Sequence, residues 1–61
     1  IAVVDSLPEI YRDTLRLKMI GYSDDEICDI LDLNKTTVYK RLQRAYRMAR
    51  ERMAKNDETG T

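Results

Sequence analysis

Apolar positions along the chain recur with a helical period in segments bounded by residues that start or stop helices. Ile27, Ile30 and Leu31 form one stripe, and Val38, Leu42, Ala45 and Ala49 fall at i, i+4, i+7 and i+11 of a longer one that Met53 extends. The first helix is expected over about Pro8 to Ile20, with Pro8 tolerated in its first turn and Gly21 ending it. The second covers about Asp24 to Leu31, and the third follows Asn34, a favoured N-cap residue, running over 35–53. Ser6 with Glu9 and Ser23 with Glu26 both read S-x-x-E, the capping box that satisfies two free backbone donors at a helix start. Ile1 to Val4 is apolar and reads as the end of an earlier helix packed on a domain spanning 1–55, while 56–61 reads as a polar tail. The pattern predicts an all-α fold, a small helical bundle with a long C-terminal helix. Tyr11, Tyr22, Met19, Met48 and Met53 are expected in the core or at its edge.

Sixty-one residues make one domain at most, burying about 60% of the surface its unfolded chain exposes. The single cysteine, Cys28, excludes an internal disulfide and is expected to be a small buried hydrophobe. Without histidine there is no zinc set of the usual kind and no histidine-based triad, so enzyme, cofactor and small-molecule readings start weak. No apolar run approaches the roughly 20 residues of a membrane span, and nothing resembles a secretory signal, so a cytoplasmic protein without membrane partners is expected. The chain opens on Ile1, as a domain cut from a longer protein would.

Charge changes the picture more than composition does. The net charge is zero, yet residues 1–34 carry three basic groups against eight acids, and residues 35–55 carry eight against one. Such polarity points to a polyanionic partner for the basic part. Opposite the apolar stripe of the last helix fall Thr36, Lys40, Gln43, Arg47 and Arg50, with Lys35, Tyr39 and Tyr46 along one flank and Arg41, Arg44 and Arg52 on other sides. Glu51 is the only acid there, whereas a merely solvated helix would alternate signs to form i, i+4 pairs.

A short helix, a tight turn at Asp32 to Asn34 and a longer basic helix match the helix-turn-helix, whose second helix enters the DNA major groove. That groove, about 12 Å wide, admits one helix, so base contacts come from the outward face near its N-terminus. Thr36, Tyr39, Lys40 and Gln43 are so placed. Glutamine can bond an adenine edge twice, lysine suits guanine acceptors, and a threonine methyl or tyrosine ring can touch a thymine methyl. Lys35, Arg41, Arg44 and Arg47 read as phosphate contacts, which fix register without reading sequence. Arg41 also has a structural reading, as a partner of Glu26 or of a helix C-terminus.

The residues then resemble a family. Leu7, Pro8, Glu9, Tyr11 and Arg12, then Gly21, Ser23, Glu26 and Ile27, then Thr37, Val38, Arg41, Leu42, Arg44 and Ala45 are similar to the three blocks of region 4 of bacterial sigma factors. The likeness spans about residues 7–50 and favours the small extracytoplasmic-function type, since the housekeeping type usually carries R-I-R-Q where T-V-x-x-R-L stands here. The resemblance implies a winged-helix-like fold without a wing and binding to double-stranded promoter DNA at the −35 element. It also implies contact with the β-subunit flap of RNA polymerase core, frequent sequestration by an anti-sigma factor, and no catalysis. Asp32 stands where many relatives have glycine, and Asp24, Asp29 and Asp32 make the motif's first helix acidic beside phosphates, so weak DNA affinity is expected of the isolated domain. The competing readings are the helix-turn-helix of another regulator or a recombinase, and a module that binds only protein.

Overall fold

Short caps, not long loops, separate the helices of this chain. The computed structural model describes the backbone of residues 2–60 and the side chains of residues 2–54. The described residues form α1 (Ala2–Asp5), α2 (Glu9–Ile20), α3 (Asp24–Leu31) and α4 (Lys35–Gly60), with no strand among them. The chain is therefore the small all-α bundle that its periodicity predicts.

The first junction departs from expectation. Ser6 does not cap α2: its hydroxyl donates to the Val3 carbonyl at 2.7 Å and its N–H reaches the Ala2 and Val3 carbonyls, so it closes α1. Pro8, extended at φ −54° and ψ 147°, stands at the N-cap, which makes Glu9 the first helical residue and denies it the third position a capping box needs. Pro8 is thus just before the first turn, and its carbonyl accepts from Tyr11 and Arg12 at 3.0 and 2.9 Å. The apolar start does form a helix packed on the domain, with Val4 buried, and Ile1 lies outside the described residues.

At the far end of α2 the expectation holds. Gly21 adopts φ 122°, its N–H bonds Leu17 and Lys18 carbonyls, and Tyr22 N–H returns to Leu17 at 3.2 Å. A Cβ there would meet nothing within 4 Å, so the backbone angle alone asks for glycine.

Helix α4 carries both halves of the core on one face. Val38 and Leu42 pack with Ile27 of α3, joined by Leu17, Cys28, Leu31 and Leu33; Ala45 packs with Val4, Leu7 and Leu15, joined by Tyr11, Met48 and Ala49. Ala45 is small and fully buried, which lets α2 come close. Thr14 is buried too, with its hydroxyl donating to the Ile10 carbonyl at 2.7 Å, so no buried side-chain polar atom is stranded among the described residues.

Four residues expected in the core or at its edge are largely uncovered: Ile30, Met19, Met53 and, less so, Tyr22. Helix α3 meets α4 along the Ile27 side, which turns Ile30 outward, and α4 outruns its neighbours before Met53. The α4 backbone stays helical to Gly60, past the expected end at Met53 and through 56–60 of the expected tail; Thr61 lies outside the described residues. With no proline or glycine between Asn34 and Gly60, each added residue extends the hydrogen-bond ladder. At 1.5 Å per residue α4 is about 39 Å long, and it sets the longest dimension of the molecule, 42 Å.

Two arginines tie α1 down. Arg52 of α4 donates to the Ser6 carbonyl and, at 2.7 Å, to the Ser6 hydroxyl, while Arg16 of α2 pairs with Asp5. The Arg16 hydrogen bond holds the Asp5 carboxyl below its ordinary value of 3.8. Because the folded value is the lower one, the pair's stabilisation is complete above the unfolded value and is lost as pH falls through the folded one. NMR titration of the Asp5 carboxyl should give a midpoint below 3.8 that returns toward it in Arg16→Gln; an unchanged midpoint would show that the pair does not persist in solution.

Candidate nucleic-acid interface

The turn between α3 and α4 decides how the last helix is presented. Asp32 closes α3 in the left-handed conformation, φ 54° and ψ 51°, and its N–H bonds the Cys28 carbonyl, as does Leu33 N–H at 2.9 Å. The glycine-like position is therefore real, filled by one of the few residue types that visit it at modest cost. Two residues later the Asn34 side-chain oxygen accepts the Thr37 N–H at 2.8 Å and its carbonyl accepts Val38 N–H at 3.1 Å, the N-cap expected there. At the other end of α3 the Ser23–Glu26 capping box is complete, with bonds of 3.2 and 2.9 Å. Both helices of the motif thus start at the caps the sequence signals.

Thr36, Tyr39, Lys40 and Gln43 are all exposed, on the side of α4 away from both core clusters. They span residues 36–43, about 10 Å of helix, within the width of a major groove. Lys35, Arg44 and Arg47 are exposed around them, and Arg41 is half-buried. Arg41 forms no ion pair among the described residues, and the Glu26 carboxylate that could have held it bonds the Ser23 N–H instead. Its structural reading as a partner of Glu26 is therefore not realised.

The acidity beside this face is partly neutralised. Asp24 pairs with Lys18 at 2.8 Å and Asp25 with Lys35 at 3.2 Å, across the α2–α3 and α3–α4 joints. The Asp24 hydrogen bond raises the Lys18 ammonium above its ordinary value. Lys35 and Asp25 are both well exposed, so their pair is weak. Asp29 and Asp32 have no ion-pair partner among the described residues.

Two features escaped the sequence reading. Arg52, placed beside the basic face, lies three residues after Ala49 and seven after Ala45, on the buried stripe, and it serves the fold through Ser6. That spacing was the available signal. Gln43, Tyr46, Arg47 and Arg50 line one polar recess on the outer side of α4. A second, apolar recess lies between α1 and α2, lined by Val4, Arg16, Met19 and Ile20. No described helix is long and apolar enough to cross a membrane, and no group of metal-ligating side chains occurs among the described residues.

The family described as "Sigma-70, region 4" matches residues 1–48 of the chain. No curated protein and no solved structure matches it.

Replacing Asp32 by glycine should stabilise the domain by about 1 kcal/mol, by relieving the left-handed side chain, and tighten DNA binding by removing a carboxylate that has no ion-pair partner among the described residues at the start of the basic helix. Thermal melts and DNA titrations of Asp32→Gly would check both; a lower melting temperature would show that Asp32 itself holds the turn.

Proposed function

This chain belongs to the sigma-70 region 4 family, the promoter-binding domain of sigma factors, and we propose that it reads the −35 element as part of an extracytoplasmic-function-type factor. The observation that carries the reading is the shared exposure of Thr36, Tyr39, Lys40 and Gln43 on the first turns of a helix whose opposite side holds the whole core together. Those four contact bases, and Lys35, Arg41, Arg44 and Arg47 contact phosphates on either side of the groove. The Asn34 side chain takes up the Thr37 N–H and fixes where α4 begins, so the positive end of the helix dipole lies beside the residues that meet the DNA in this reading.

The acidic first half takes no part in DNA contact in this reading. Its uncovered apolar residues Met19, Ile20 and Ile30, with the recess beside Val4, suit protein contacts. The family interacts with RNA polymerase in general; the finer assignment, to the β-subunit flap of the core enzyme, is our proposal. An anti-sigma partner that covered both this half and α4 would switch the domain off. The alternative of a module binding only protein predicts tight one-to-one protein complexes and no DNA binding even at low salt.

Lys40→Ala and Gln43→Ala should each change the preferred −35 sequence, losing about 1 to 3 kcal/mol of discrimination at one base pair. Equal losses on every duplex in a binding array would contradict base reading by these residues. Arg44→Ala and Arg47→Ala should weaken binding to all sequences and flatten the dependence of log affinity on log salt by about 0.9 each. An unchanged slope would remove them from the phosphate contacts.

A further inference from the structure

The recess on the outer side of α4 is built from one helix face. Gln43, Tyr46, Arg47 and Arg50 stand at i, i+3, i+4 and i+7, the spacing that brings side chains together along a helix. Tyr46, Arg47 and Arg50 are exposed, and neither arginine has an ion-pair partner among the described residues, although Glu51 is four residues from Arg47. Two uncompensated guanidinium groups, a phenol and an amide around one concavity offer several donors and no carboxylate. Their ligand is an anion with more than one acceptor oxygen, and the planar guanidinium fork matches a phosphodiester.

Position along α4 says which phosphodiester. Arg50 lies seven residues past Gln43 and fourteen past Thr36, about 10 and 21 Å along the helix axis. A groove about 12 Å wide that receives Thr36 to Gln43 cannot also hold Arg50 against its floor. The recess therefore meets the sugar-phosphate wall where α4 leaves the groove, outside the base pairs that the helix reads. Arg50 also lies beyond residues 1–48, the part of the chain that the family match covers.

We propose that Tyr46, Arg47 and Arg50, with Gln43 at the inner edge, hold a backbone phosphate of DNA flanking the recognised element. Gln43 then joins the two functions, one end of its amide toward a base and the other toward the recess. The inference rests on the promoter-reading orientation of α4, and it adds a length requirement: the domain needs duplex beyond the bases it reads. Nothing in the flanking sequence matters, because a phosphate carries no base identity.

The test compares the complete chain with Arg50→Ala and Lys40→Ala by fluorescence anisotropy at several salt concentrations. One duplex ends at the recognised base pairs, and two others extend it by about half a helical turn, roughly 5 base pairs, on either side. Wild type should bind one of the extended duplexes several-fold more tightly than the short one, whatever the sequence of the extension. Arg50→Ala should lose that gain, with a salt slope lower by about 0.9 on the extended duplex and unchanged on the short one. Lys40→Ala should keep the gain while losing sequence preference. Circular dichroism of Arg50→Ala confirms the fold, which an exposed side chain should not disturb.

Sequence-selective binding with no length dependence, or with equal loss for Arg50→Ala on every duplex, would overturn the flanking-phosphate site and leave the promoter reading standing. Length-dependent binding that Arg50→Ala abolishes, with no preference among sequences, would support the site and overturn base reading. Absence of binding to any duplex at low salt would overturn both.

Discussion

The contact of Ile27 with Val38 and Leu42 is the constraint on which the rest of the structure depends. Ile27 and Val38 have no exposed surface, and they sit on opposite sides of a turn only three residues long, Asp32 to Asn34. Burying these branched side chains against each other contributes on the order of 1.5 to 3 kcal/mol apiece, a large share in a domain of this size. Their rigid packing fixes the angle between α3 and α4. Everything exposed on α4 is aimed by that angle, so Thr36, Tyr39, Lys40 and Gln43 owe their orientation to a contact none of them makes.

A second consequence concerns how one helix serves two halves of a core. The α4 stripe meets α3 at Val38 and Leu42, then meets α1 and α2 at Ala45 and Ala49. Large residues face the short α3 and small ones face α2, so α2 can approach α4 closely where it crosses. The Arg52 bonds to Ser6 and the Arg16 pair with Asp5 then hold α1 over the second cluster. These surface bonds are individually weak, and the burial of Val4 and Leu7 provides the larger share of what keeps α1 in place.

Electrostatics divide the molecule without unbalancing it. Two acids in the first turn of α3, Asp24 and Asp25, pair with Lys18 and Lys35, which offsets part of the negative charge of that helix. Asp29 and Asp32 have no ion-pair partner among the described residues. A domain with zero net charge can therefore present a strongly cationic helix while its long-range repulsion from DNA stays small.

Much of this was legible in the linear chain, because the information is local. Ser23 with Glu26, Gly21, Asn34 and the i, i+4, i+7 spacing of Val38, Leu42 and Ala45 each act within a few residues of themselves, and the structure places the caps and the inner stripe there. The crowding of cations on α4 was equally local, as was the exposure of Thr36, Tyr39, Lys40 and Gln43 opposite the stripe. Where two local signals competed the chain misled: Ser6 carried a capping-box spacing, but a proline between it and Glu9 and an apolar turn before it made it the end of α1. What the sequence alone determined is where helices begin, which side of α4 is apolar and where charge accumulates. Tertiary structure decided that Ile27 is covered and Ile30 is not, that Arg52 binds Ser6 while Arg50 stays exposed, and that Asp24 and Asp25 meet Lys18 and Lys35. Those outcomes depend on where a neighbouring helix stops and at what angle it crosses, and packing between distant residues sets both.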